Sequence, residues 1–405
     1  MEGQGVFVKR RLHSPVLLLA ALAVAVTAES GLAQIAPRQA GSGPAPAVTV
    51  APPRMPAVVD ANNLYSETAS GRMSAAVSGA LERVYVPNLK SNDVYVIDPA
   101  TFKVVDRFKV GVNPQHVVPS WDLRTLWVAN NAEGRTDGAL TPIDPKTGKP
   151  GEAKSVDDPY NMYFTPDGSS AIVVAEALKR LDFRDPQTMV LQSSLPTPQC
   201  DGINHADFAI DGSYAIFTCE FEGGLVKIDP VNRKVLGYLK LSKGGMPQDI
   251  RVSPDGKLFY VADMMANGVF VVNGENFTEI GFIATGVGTH GLYPSRDGKK
   301  LYITNRGSNK IHGSPHGKGS VSVLDFATRK VEATWPIPGG GSPDMGNVSA
   351  DGRLLWVSGR YDNVVYAIDT TSGSVKTIRV GTEPHGLTVW PQPGRYSLGH
   401  TGNMR

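Results

Sequence analysis

A turn signature recurs along this chain and constrains its fold more than any other feature. It reads Pro166-Asp167-Gly168, Ile210-Asp211-Gly212, Pro254-Asp255-Gly256, Arg296-Asp297-Gly298 and Ala350-Asp351-Gly352, with the aspartates 44, 44, 42 and 54 residues apart. A period in this range marks a tandem architecture. Asp-Gly is a tight-hairpin signal, because glycine accepts the positive φ that a two-residue turn demands.

Each turn is followed by a β-rich stretch, such as Leu126-Trp127-Val128-Ala129-Asn130, Phe259-Tyr260-Val261-Ala262-Asp263 or Leu301-Tyr302-Ile303-Thr304-Asn305. A third strand ending in aspartate comes next, as in Val94-Tyr95-Val96-Ile97-Asp98 and Val365-Tyr366-Ala367-Ile368-Asp369, and then a fourth, as in Lys103-Val104-Val105-Asp106. Four antiparallel strands per repeat make a propeller blade. No helical periodicity of useful length interrupts them. The fold class is all-β, a single β-propeller of four-stranded blades.

The second strand, here Tyr302-Ile303-Thr304-Asn305, gives the chain its resemblance to the YVTN family of β-propellers. The resemblance spans nearly the whole chain after the leader and places it in the d1-haem-like and YncE-like superfamily. That superfamily includes the d1-haem domain of periplasmic nitrite reductase, a related d1-haem biosynthesis protein and many binding proteins. The repeat is specific for fold and far less specific for activity.

Four-strand sets start near Met73, Val118, Met162, Ala206, Ile250, Leu292 and Gly346. Gly386–Trp390 is a surplus innermost strand, with Tyr396–His400 as its partner. Val58–Ala61 and Leu64–Glu67 form a matching surplus at the other end. Pooling two strands from each end closes the ring as an eighth blade. Seven blades, with the terminal pieces overlapping, is the alternative.

Ahead of the repeats stands a tripartite export signal. Lys9, Arg10 and Arg11 are followed by the uncharged run Val16–Thr27, and Gly31-Leu32-Ala33 provides a cleavage site. The run is too short to span a membrane, which takes roughly 20 residues. Residues 1–33 therefore read as a cleaved signal peptide, 34–55 as a disordered Ala/Pro/Gly tether and 56–405 as the propeller. The expected location is periplasmic or secreted, without a membrane span after cleavage, and the expected state is monomeric. Arg10-Arg11 alone does not decide between the Sec and twin-arginine routes. The net charge of +2 is spread without a basic cluster, so nucleic acid is not an expected partner. Cys200 and Cys219 are the two cysteines, and an exported chain would hold them as a disulfide, with free thiols as the alternative.

In a propeller the first strand of each blade lines the channel. Loops entering first strands and leaving second strands open on one face. His116, His205, His290 and His385 each start a first strand and so converge at the channel mouth, with Asn161, Asp249 and Asp344 as their counterparts in other blades. His312 and His316 lie in the longest loop, which opens on that face, and His400 follows the surplus strand. Neutral imidazole suits a transition metal or haem iron, and carboxylates broaden the choice. His116, His205, His290, His385, Asp249 and Asp344 are the expected metal ligands. Arg306 and Arg360, on neighbouring blades, suggest a clamp for a carboxylate-bearing cofactor or ligand, with Asn161 beside them.

Three functions follow in order of preference. The first is a binding protein holding a metal, a haem-type tetrapyrrole or another small ligand at the mouth. The second is a lactonase-like metal-dependent hydrolase using Glu176, Glu220, Asp249 and Asp263. The third is a scaffold presenting residues 306–320 to a protein partner.

Overall fold

The computed structural model describes residues 59–396. The expected signal peptide and tether, with His13 and His400, lie outside the described residues. Seven sheets stand in a ring, six of four strands and one of five. Blade 1 holds Arg83–Asn88, Asp93–Asp98 and Lys103–Lys109, with Thr388–Trp390 as its innermost strand. Blade 2 holds Pro114–Pro119, Leu126–Asn130 and Ala139–Asp144, with a split outer edge of Lys149–Pro150 and Lys154–Ser155. Blades 3 to 7 start at the innermost strands Pro159–Phe164, Ile203–Phe208, Pro247–Val252, Thr289–Pro294 and Pro343–Val348.

There are seven blades, not the eight favoured from the sequence. The surplus strand supplies what the Met73 set lacks. Thr388–Trp390 pairs antiparallel with Arg83–Asn88, in the register Arg83↔Trp390, Val84↔Val389 and Tyr85↔Thr388. Met73 itself makes only an isolated bridge to Gly394. The expected N-terminal strand Leu64–Glu67 is a 3-10 turn, Leu64–Thr68. Its Tyr65 hydroxyl donates to the Val252 carbonyl at 2.6 Å, which seals the base of blade 5 without adding a strand.

Burial follows strand position. Pro159–Phe164, an innermost strand, is buried at every residue, whereas Lys330–Pro336, an outermost one, alternates exposed and half-buried. The repeated turn is a four-residue loop rather than a two-residue one. Thr165 N–H donates to the Ser170 carbonyl and Gly168 N–H to the Thr165 carbonyl, with Gly168 at φ 70°. That is a type I turn followed by a left-handed residue, which explains why glycine follows aspartate.

Adjacent innermost strands belong to different sheets, so some of their buried amides need side-chain acceptors. The Asp207 carboxylate accepts from Val252 N–H, Asp249 from Leu292 N–H, and Asn347 from Val389 N–H, each at 2.9 Å. Tyr163 and Tyr293 hydroxyls accept from Ala206 and Gly346 N–H at 2.8 Å. These bonds tie blade to blade around the channel.

Candidate functional site

The second and third positions of each innermost strand carry the histidines and their counterparts. The second positions are Gln115, Tyr160, Asn204, Gln248, His290, Asp344 and, ahead of the closing strand, His385. The third are His116, Asn161, His205, Asp249, Gly291, Met345 and Gly386. A register shift follows the first residue in blades 2 to 7, so the start of the strand is bulged. The histidines therefore occupy two tiers, not the one ring expected. His290 and His385 are on the upper tier, and His116 and His205 are on the lower.

The rim is set by another position. The residue just after each second strand reads Leu89, Asn131, Glu176, Glu220, Met264, Arg306 and Arg360. Five of these rim residues line one pocket: Asn131, Glu176, Glu220, Arg306 and Arg360. The upper tier supplies Gln115, Tyr160, Gln248 and His290, and Glu133, Phe221 and Ile311 complete a pocket of about 440 Å³, its open mouth included. The last residues of the second strands are caps instead. Asn130 Nδ2 donates to the Val128 and Ala139 carbonyls, and Asn305 Nδ2 to the Ser320 and Ser322 hydroxyls. Asp263 Oδ1 accepts from the N–H groups of Met246, Met265 and Ala266, and the residue does not line the pocket.

Asp344 is the hub below the pocket. It is fully buried, and Arg306 Nε donates to its Oδ1 at 2.6 Å. His290 Nδ1 lies 3.0 Å from the same oxygen, and His385 Nδ1 2.6 Å from Oδ2. Arg360 Nη1 sits 3.0 Å from His385 Nδ1 and 3.7 Å from Asp344 Oδ2. Burial alone would raise the Asp344 carboxyl, but Arg306, His290 and His385 outweigh it and hold it well below the usual range. Burial pushes His205 and His290 well down and His385 to about 4, so all three rings are neutral at pH 7. Two guanidiniums thus face one carboxylate. Arg360 is 5% exposed, and its Nε has no hydrogen-bond partner.

The four rings pack on one another. Ring centroids are 5.1 Å apart for His116 and His205, 4.8 Å for His116 and His385, and 5.9 Å for His290 and His385. Tyr160 packs edge-on against His116, and its hydroxyl lies 3.4 Å from His385 Nε2. Only His290 among the four lines the pocket.

Across the mouth, Glu176 and Glu220 stand on neighbouring blades, and burial raises both carboxyls above their ordinary range, that of Glu176 also through the Glu220 charge. Asn204 Nδ2 donates to Glu220 Oε2 at 2.7 Å. Lower in the channel, Asp249 pairs with the fully buried Arg251 at 3.2 Å and also accepts from Ile250 N–H. Its carboxylate thus serves the blade junction, so it is removed from the expected ligand set. Asn161, expected at the cofactor, accepts from Met162 N–H and donates to the Tyr163 hydroxyl. Neither residue lines the pocket. His312 and His316 are exposed on the long loop. That loop is tied down where His316 N–H donates to Asp362 and the Tyr361 hydroxyl to the Lys310 carbonyl. Cys200 and Cys219 form a disulfide directly before rim residue Glu220.

The donors expected for a metal are present near the channel mouth. Among the described residues, no three His, Cys, Asp or Glu side chains are placed to hold an ion together. Asp344 is engaged by Arg306 and by two imidazole Nδ1 atoms, and His116 is wedged against Gly386. A tetrapyrrole does not fit between rings already in contact.

Fold and site define a seven-bladed propeller with a polar, partly apolar-walled pocket at one end of its channel. Residues 48–393 match the family described as YNCE-like beta-propeller, and the chain belongs to it. The protein YncE of Salmonella typhi is 25% identical over 295 residues, 66% of this chain and 75% of that protein. Antigen Lp49 of Leptospira interrogans is 28% identical over 189 residues, 40% of this chain and 38% of that one. Two solved structures share the fold. Pseudomonas aeruginosa periplasmic gluconolactonase PpgL superposes with TM-score 0.61 at 19% identity, covering 78% of this chain and 99% of that one. Dihydro-heme d1 dehydrogenase NirN superposes with TM-score 0.57 at 16% identity, covering 84% and 83%. At such identities the likeness shows fold alone. Among the described residues no helix is long and apolar enough to cross a membrane.

Proposed function

We propose that the chain is an exported binding protein that takes a small carboxylate-bearing molecule at the channel mouth. Arg360 carries this reading. It is a buried guanidinium lining the pocket, with an Nε donor left without a partner and only a share of one carboxylate. A buried donor left unmade costs about 1–3 kcal/mol, which a bound carboxylate would offset. Arg306 lines the same pocket and is anchored by Asp344, so it presents a fixed positive wall.

Titration calorimetry of the mature chain with simple carboxylates is the test. Binding that Arg360→Gln weakens tenfold or more supports the reading. Carboxylates that bind equally well to the variant, or not at all, refute it. Elemental analysis of the same preparation addresses the metal alternative. The Glu176–Glu220 pair, two carboxyls raised by burial in one pocket, favours a second reading as a lactone hydrolase, in which it would serve as acid and base. Turnover of lactones abolished by Glu220→Gln would establish that reading.

A further inference from the structure

The rim is divided by charge. Glu176 and Glu220 stand on blades 3 and 4, and Arg306 and Arg360 on blades 6 and 7, three blades away in a ring of seven. Tyr160 lines the same pocket as both pairs, and its phenol feels both, the carboxyls raising its pKa and the guanidiniums lowering it. On the acidic side the atoms left over are acceptors. Gln115 is 3% exposed and lines the pocket, and its Oε1 has no partner. Asn204 is fully buried, bonds Glu220 through Nδ2 and leaves Oδ1 without a partner. On the basic side the atom left over is a donor, Arg360 Nε. Phe221 and Ile311 are the apolar residues of the lining.

Resting on the carboxylate reading above, we propose that the ligand is amphoteric, an amine and a carboxylate joined by a short aliphatic spacer. The carboxylate meets Arg306 and Arg360. The ammonium meets Glu176, Glu220 and the Gln115 oxygen. An ammonium carries three donors and no acceptor, which matches a wall of acceptors. A divalent cation matches less well, because among the described residues no third acidic or imidazole ligand joins the two glutamates. An ion held by oxygen typically takes six or more ligands.

The experiment uses straight-chain ω-amino acids from glycine to 6-aminohexanoate, each beside its matched alkanoate and alkylamine, titrated against the mature chain. At least one amino acid is expected to bind tenfold or more tighter than both of its matched controls. Glu220→Gln should remove that margin. Gln115→Leu should narrow it without altering charge, and melting curves confirm that both variants fold. Alkanoates that match the amino acids at every length overturn the amphoteric ligand and leave the carboxylate reading standing. So does a margin that survives Glu220→Gln. Failure of alkanoates and amino acids alike overturns both. Calcium binding that Glu220→Gln abolishes would reassign the acidic rim to a cation and overturn the ammonium.

Discussion

Gly386 decides how close His385 and His116 can come. A Cβ built on it would lie 1.8 Å from His116 Nδ1, and its N–H donates to the Gln115 carbonyl across the blade junction. Gly386→Ala must therefore displace a buried ring, at a cost of about 1–3 kcal/mol for an overpacked site. Gly281→Ala, with nothing within 4 Å of its added carbon, is the control and should be neutral or slightly stabilising. Denaturant midpoints of the two variants check this. The neutral histidines make a second prediction at this scale. His385 falls from an ordinary 6.5 to about 4 through burial, so the unfolded chain binds its proton first as pH drops. Stability from this group is complete above pH 6.5 and is lost towards pH 4, by roughly 3 kcal/mol at 1.36 kcal/mol per unit. His205 and His290 add in the same direction. Asp158 and Asp249, raised to about 6, act in the opposite sense between about 4 and 6. Glu176, Glu220 and Asp263 are raised as well and act with those two carboxyls, so the His385 contribution is read as the difference between the wild type and a His385 variant. Urea unfolding from pH 7 to 4 should show the wild type losing stability relative to His385→Gln as the pH falls. A wild-type and variant difference that does not change with pH would count against it.

Among the elements, the repeat was legible because each of its signals has a local cause. The turn aspartate accepts from the serine or threonine two residues before it, as with Ser253 and Asp255 at 2.6 Å. The asparagine closing the second strand bonds the third strand. Third strands end in aspartate because Asp98 accepts from Ala100 N–H and Asp369 from Ser372 N–H. The tiers were legible too, but only by counting back from the turn. His116 and His205 stand six residues before the turn aspartate, His290 and Asp344 seven, and every rim residue from Asn131 to Arg360 nine after it. Aligning all four histidines ignored the bulge that separates six from seven. What no local pattern could show was occupancy, for Asp249 and Asn161 look like ligands until their partners are seen, Leu292 N–H across the junction for the first, Met162 N–H and the Tyr163 hydroxyl in its own strand for the second. The disulfide belongs to this scale as well. Cys200–Cys219 closes a loop with a sequence separation of 19 around the first hairpin of blade 4. A link of that size is worth about 3 kcal/mol through the unfolded chain. Replacing both cysteines with serine should lower stability by about that amount, as measured by denaturation in the absence of reductant.

At the scale of the whole molecule, the ring is held by a strand contributed from the far end of the chain. Thr388–Trp390 buries Trp390 and Val389 and completes the innermost position of blade 1. The same segment reaches both neighbouring blades. Gly386 O accepts from Val117 N–H in blade 2, and Asn347 of blade 7 accepts from Val389 N–H. Ending the chain at Glu383 would uncover the paired edge of Arg83–Asn88 and open two blade junctions at once. Losing buried Trp390 alone is the kind of change that costs about 3–5 kcal/mol, a large part of the stability of an ordinary domain. The truncated chain should therefore lose its cooperative thermal transition and self-associate with rising concentration, since an uncovered strand edge is a pairing template. A synthetic peptide spanning Pro384–Tyr396 should restore the transition in a concentration-dependent way, because it binds the closed ring and not the unfolded chain. Sedimentation velocity and thermal unfolding, with and without peptide, measure both effects. A truncated chain that melts where the full one does would mean that the ring closes without its strand. Rescue by a peptide in which Trp390 is alanine would mean that backbone pairing outweighs the buried indole. The expected result is that neither occurs. The candidate pocket shares this dependence, because His385 enters the upper tier on the segment that closes the ring.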